Sequence, residues 1–258
     1  MSTLLGVPVD AAYHLVLALT NVLTPVLGGL AAVAGIILVT IAVRLLVSPL
    51  TFRALRGQAA QARLAPEIQR LRQRHAKQPD RLQRELTALY QREGTSVFAG
   101  FAPLLVQWPV FSVLYLLFRS ATVAGSPNRL LSRDLLGAPL GSHWLSGAGI
   151  LSLHGVVFLA VLAVLATACW YAARVARRAL PQPAAAAVPG SGALTAFGKV
   201  APYITVVIAA FAPLAGVIYL VTSTSWSAAE RLVFAARAKP APPLGRSAGT
   251  GRQRPAAT

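Results

Sequence analysis

Four long apolar blocks govern what this chain can become. They lie near residues 28–51, 97–118, 149–173 and 194–234, and the last is long enough for two short helices. A helix that crosses a bilayer needs roughly 20 predominantly apolar residues. The blocks therefore predict five spans, at 28–51, 97–118, 149–173, 196–212 and 214–235. Only 12% of the 258 residues are charged, against about 25% in an ordinary soluble domain. Too few charges remain to solvate a globular surface. The fold class read from this pattern is all-α, a polytopic membrane protein.

The charges that exist are sorted by segment. The net charge is +17, and the stretch 52–94 holds ten Arg/Lys against Glu67, Asp80, Glu85 and Glu93. Arg174, Arg177, Arg178 and Lys199 follow the third block, and six more cations lie from Arg231 onward. The alternate connections hold only Arg119, Arg129 and Arg133, and the N-terminal segment holds none. Loops rich in Lys and Arg stay cytoplasmic, which predicts an outside N-terminus and an inside C-terminus. An odd number of spans satisfies that parity. The charge also suits contact with anionic headgroups. Clustered Arg fits an RNA-rich partner at the same face equally well, and charge by itself does not choose.

Between the spans the composition changes. Residues 1–27 are read as an extracytoplasmic N-terminus with an interfacial amphipathic helix over 11–24, too short to span. No cleavable signal is read there, because a positive n-region is missing and Asp10 is the one charge. Residues 52–96 read as a basic helical hairpin. Leu64, Ile68 and Leu71 face Leu82, Leu86 and Leu89, Gln78-Pro79-Asp80 forms the break, and Asp80 caps the second arm. The loop 119–148 is rich in Gly, Ser and Pro, with His143-Trp144 as an interfacial anchor. A cytoplasmic linker over 174–195 is flexible where Pro, Ala and Gly dominate at 181–193. The segment 212–216 reverses the chain between the last two spans. The basic tail 236–258 has the composition of a disordered segment. Arg outnumbers Lys 21 to 3, which points to a GC-rich bacterial genome.

Catalytic constellations are missing, and no cofactor or metal set is read. Cys169 stands alone, so cysteine metal sites and disulfides are excluded. The run from Gly192 to Lys199 misses the phosphate-loop spacing by one residue, and Val200 replaces the required hydroxyl. His154, in the third span, is open to a relay role or to simple hydrogen bonding. What remains is polarity inside the spans, which are read as free of carboxylates. Arg44 is the sharpest case, placed in A-V-R-L-L-V-S-P-L ahead of Pro49, the residue expected to end the span. A central Arg costs about 2.5–3.5 kcal/mol on insertion scales. Two readings stay open: a snorkelling side chain that reaches the interface, or a charge lining a wet cavity. Thr40, Gln107, Thr222 and Ser223 are the further polar positions such a cavity would use.

Several stretches resemble a known family. They are V-R-L-L-V-S-P-L-T at 43–51, L-A-P-E-I at 64–68, L-Y-Q-R-E-G at 89–94 and G-F-A-P-L-L-V-Q-W-P-V-F-S-V-L-Y at 100–115. In that order, around a basic hairpin, they resemble the YidC/Oxa1/Alb3 membrane protein insertases over 40–119, and more weakly over 201–231. Departures are Ser96-Val97 in place of Asn-Pro, Phe101, Trp108, and Leu220 at a usual Trp, for which Trp226 is the substitute.

The resemblance implies five helices around a hydrophilic groove in the bacterial plasma membrane. Arg44 is its positive residue and Gln107, Thr40, Thr222, Ser223 and Trp226 belong to its lining. It implies a non-enzymatic protein that receives nascent membrane proteins and releases them into the lipid bilayer, alone or with the Sec translocon. Ribosome and translocon contacts would fall to the hairpin 52–94 and the tail. DNA is not an expected partner. The competing reading is a small transporter or channel with an anionic substrate at Arg44. It lacks support from inverted repeats or an acidic coupling residue. A third, a scaffold merely anchored by its spans, predicts that Leu at position 44 is harmless.

Overall fold

The computed structural model of the chain describes residues 2–94, 102–123, 125–144, 152–179 and 203–237. The linker 181–193, the start of the fourth span, the run 192–200 and the tail from 238 lie outside the described residues. Helices carry most of the described chain: α1 (Ser2–Leu27), α2 (Ala31–Arg74), α3 (Pro79–Arg92), α4 (Ala102–Arg119), α5 (Leu153–Ala179), a helical stretch α6 at 203–209, and α7 (Leu214–Arg237). Among them α7 packs between α2 and α5, α1 lies along α2, and α4 touches α1, α2 and α7.

Among the described residues, two helical stretches, Gly6–Arg74 and His154–Arg178, each contain a segment long and apolar enough to cross a membrane. Large apolar side chains also cover the outside of the bundle, with Val22 74%, Leu46 79% and Phe211 65% exposed. In water such a surface would drive association; in lipid it costs nothing.

The N-terminal helix is longer than the 11–24 segment anticipated for it. Twenty-six residues rise about 39 Å at 1.5 Å each. Val9, Tyr13, Val16 and Thr20 are buried on α1 at helical spacing. That stripe faces α2 and α4, not only a bilayer surface. A 3-10 turn at Gly28–Leu30 connects α1 to α2, and Gly28 adopts φ 52°. At that positive φ a side chain is disfavoured. Close approach of the two helices is secured at Gly35. A Cβ there would lie 3.0 Å from Thr20 Oγ1 and 3.3 Å from the Val16 carbonyl oxygen.

Neither proline ends α2. The helix runs through Pro49 and Pro66 for 44 residues, so the first span and the first hairpin arm are one rod. Pro49 removes the N–H that would bond the Leu45 carbonyl, and packing against α1, α4 and α7 carries the helix through. Ser48 Oγ lies 2.8 Å from the Arg44 carbonyl and Thr51 Oγ1 lies 3.4 Å from that of Val47. The second arm begins two residues earlier than anticipated. Pro79 occupies the first helical position, and Gln78 is the cap residue without a side-chain bond. Proline's fixed φ suits that position, and Asp80 instead places its charge in the first turn, toward the positive end of the helix dipole. Leu64 and Leu89 are the buried pair of the hairpin, and Ile68, Leu71, Leu82 and Leu86 are half-buried.

At the opposite end, the loop is structured by two small hairpins, Thr122–Val123 with Ser126–Pro127 and Asp134–Leu135 with Ala138–Pro139. Leu136 (φ 50°) and Gly137 (φ 86°) form the two-residue turn of the second, matching the right-handed twist of paired strands. The loop completes the helices around it. Asn128 Nδ2 donates to the Leu117 and Ser120 carbonyls at 2.8 and 3.1 Å, closing the end of α4. The Ser142 and Leu140 carbonyls accept from Leu214 and Ala215 N–H at 3.0 and 2.9 Å. Those donors have no partner within α7's own first turn. Trp144 packs against the buried core, so it serves the bundle and not only an interface. After α6 the chain turns at 210–213 into α7.

Candidate functional site

The site is built from two facing stripes. On α2, Thr40, Arg44 and Ser48 recur every four residues. On α7, Tyr219, Ser223, Trp226 and Glu230 recur every three or four. Both spacings keep side chains on one helix face. Arg44 meets Ser223, and Ser48, four residues on, meets Glu230, seven residues on. Both contacts advance in the same sense, so α2 and α7 run parallel here.

Arg44 is 6% exposed. Its Nη2 donates to the Ser223 carbonyl at 3.1 Å and also to the Ser223 hydroxyl. The guanidinium is aimed across at α7, not along α2 toward its end, so Arg44 does not snorkel here. The Ser223 carbonyl accepts from Ser227 Oγ as well, at 3.0 Å. Below it the Ser48 hydroxyl lies 2.5 Å from Glu230 Oε1. A carboxylate accepts, so the single Ser48 hydrogen is shared between Glu230 and the Arg44 carbonyl.

Glu230 corrects the reading that the spans hold no carboxylate. It falls within 214–235 and is 5% exposed. It and Tyr219 both act electrostatically on Arg44. A lone intramembrane cation is thus given a carboxylate in its neighbourhood without direct ion-pair contact. The network is incompletely satisfied. Arg44 Nε, Trp226 Nε1 and Glu230 Oε2 are buried with no hydrogen-bond partner among the described residues. Buried polar atoms of this kind normally have partners, and all three belong to residues of the two facing stripes.

The remaining anticipated positions divide. Thr40 is buried, but its hydroxyl bonds back to the Ile36 carbonyl at 2.7 Å. Thr222 does the same to Ile218 at 3.0 Å and sits one position off the Ser223 stripe. Trp226 lies one turn beyond Ser223, on the site face. Gln107 lies within α4, and its side chain is outside the described residues. His154 is exposed in the first turn of α5. Ser48, Tyr219 and Glu230 join the network without having been assigned to it. The spacing 219, 223, 226, 230 on an apolar helix is the signal that finds the α7 members.

With this geometry in view, the chain's likenesses become informative. The sequence profile of the 60Kd inner membrane protein family matches residues 22–241. The protein belongs to that family, the YidC/Oxa1 membrane protein insertases. It is similar to the membrane protein insertase YidC of Clostridium tetani, with 31% identity over 114 residues, 44% of this chain and 52% of the relative. Membrane protein insertase MisCA of Bacillus subtilis is 40% identical over 85 residues, 31% of this chain and 33% of the relative. YidC of Clostridium perfringens is 32% identical over 107 residues, 42% of this chain and 45% of the relative. The chain thus spans about half or less of the relatives it matches.

Proposed function

We propose that the protein inserts nascent membrane proteins into the lipid bilayer without catalysing a covalent step. The supporting observation is Arg44, buried among apolar helices and held by hydroxyl and carbonyl groups with Glu230 nearby. Such partners are exchangeable. A polar or acidic segment of an incoming chain displaces Ser223 from the guanidinium and is shielded from the hydrocarbon while it crosses. The apolar part of the substrate then leaves sideways into lipid. Burial of a roughly 20-residue apolar helix supplies the driving force, so nucleotide hydrolysis is unnecessary.

In this reading the chain has five spans around a hydrophilic groove in the bacterial plasma membrane, N-terminus outside and C-terminus cytoplasmic. Thr40, Gln107, Thr222, Ser223 and Trp226 line the groove with Arg44. The hairpin from 52 to 94 and the tail engage the ribosome and the Sec translocon. The family membership and the sorting of positive charge support it.

The test uses cells depleted of their own insertase. Wild type, Arg44→Ala and Arg44→Lys are expressed, and insertion of a short single-span substrate is followed. Insertion by wild type and the Lys variant, with loss in Ala, is expected. A wild type that leaves insertion unsupported refutes the proposal.

A further inference from the structure

Below the Arg44 network the same two helices open into a second feature. An open cleft of about 760 Å³ lies between the continuation of α2 and the end of α7. Arg53, Arg56 and Arg63 on α2 and Arg237 on α7 line it, together with Phe52 and Phe234. None of the lining residues is acidic. The two ion pairs among the described residues belong to Arg92, so Arg53, Arg56 and Arg63 carry no protein counter-ion there. Positions 53, 56 and 63 fall on one face of α2. Ala59 and Ala60, also in the lining, keep the space between the guanidinium groups open. Arg237 lies 6.0 Å from the Phe52 ring, within cation–π range, which ties the two walls together.

We propose that this cleft binds the phosphate headgroup of an anionic phospholipid. Location favours lipid over other phosphates. The cleft begins at Pro49 and Phe52, where the apolar run 28–51 gives way to the row of arginines. Leu46 and Leu50, within one helical turn of Pro49 on α2, are exposed and offer a track for acyl chains. A nucleic-acid phosphate has no use for an apolar track leading into the bilayer. The proposal rests on the membrane placement of α2 and not on insertase activity, so each can fail without the other.

The test uses the full chain reconstituted in phosphatidylcholine vesicles. A trace of spin-labelled phosphatidylglycerol, or of spin-labelled phosphatidylcholine, reports the immobilised fraction by electron paramagnetic resonance. Wild type should prefer the phosphatidylglycerol. The variant Arg53→Gln/Arg56→Gln/Arg63→Gln should lose that preference by up to about fivefold per arginine. Arg70→Gln/Arg72→Gln/Arg74→Gln, with the same charge loss further along α2, should keep it. If the triple cleft variant fails to reconstitute, Arg56→Gln alone carries the comparison, with a loss of up to about fivefold.

Equal loss in the two triple variants, no preference in wild type, or an unchanged preference in the cleft variant each overturns the site. Release of the labelled lipid by inorganic phosphate assigns the cleft to free phosphate, and release by a short RNA assigns it to nucleic acid. Either result overturns the lipid assignment.

Discussion

The two halves of α2 put arginine to opposite uses. In the upper half Arg44 is buried and its Nη2 donates to Ser223 on α7. In the lower half Arg53, Arg56 and Arg63 project from the same helix into an open cleft. The backbone is continuous between them, so secondary structure does not set the difference. The partner surface does. Where α7 offers hydroxyls and a carboxylate, a guanidinium is tolerated inside; where it offers Phe234 and another arginine, the charges face outward.

Breaking the upper half should have the largest effect. Arg44→Ala is expected to lower insertion in depleted cells at least tenfold. It should also cost about 1.5–3 kcal/mol of stability, the worth of hydrogen bonds to a charged group. Arg44→Leu separates the two effects. Replacing a buried charge with an apolar side chain is often neutral or stabilising, so the Leu variant should melt no lower than wild type in detergent yet fail in insertion. Normal insertion with Leu would favour an anchored scaffold.

Gly35 tests whether the upper half depends on close packing with α1. Gly35→Val forces branched carbon against Thr20 and the Val16 carbonyl, with the first contact already at 3.0 Å. Overpacking of this kind costs about 1–3 kcal/mol. A lowered midpoint in a thermal unfolding scan is expected. Thr20→Ala should relieve only part of it, because the backbone oxygen cannot withdraw. Full rescue would show that the helices adjust more freely than their contact implies.

Glu230 sharpens the comparison without destroying the site. Glu230→Gln keeps an oxygen acceptor for Ser48 and removes the negative charge near Arg44. A stability loss of about 1 kcal/mol is expected from one altered hydrogen bond. Photocrosslinking between residue 44's surroundings and an acidic segment of a nascent chain should increase, because a competing anion is gone. Decreased crosslinking would make Glu230 a positioning group for Arg44 instead.

Much of this contrast can be read from the sequence, for identifiable reasons. Arg44 stands out because a cation inside an apolar run carries a high cost, and Ser223 stands out as a polar position within the last apolar block. Glu230 escapes because it precedes Arg231, where the tail's positive charges begin, and so looks like the edge of the span. Its register with Tyr219 and Ser223 is the better guide. Pro49 misleads because a proline lacks the N–H for the Leu45 carbonyl and usually ends a helix; here packed neighbours on α1, α4 and α7 hold α2 through it. The caps supplied by Asn128, Leu140 and Ser142 are illegible, since they depend on tertiary contacts from two-residue strands. The basic hairpin is legible because its leucine spacing and charge are local.

The smallest effect is expected in the hairpin, and it completes the comparison. Arg92 donates to Glu67 at 3.2 Å and lies 3.5 Å from Glu93, with its side chain 67% exposed. An exposed pair of this kind contributes about 0.2–1 kcal/mol, because water screens the charges and ordering two long side chains costs entropy. Arg92→Ala should therefore leave the unfolding midpoint of the whole protein nearly unchanged and reduce it less as salt rises. Hydrogen exchange at the α3 amides should accelerate severalfold, since few residues of the arm besides Leu89 are buried. An Arg92 effect on global stability as large as that of Arg44 would end the distinction between a buried guanidinium built into the fold and exposed ones displayed by it.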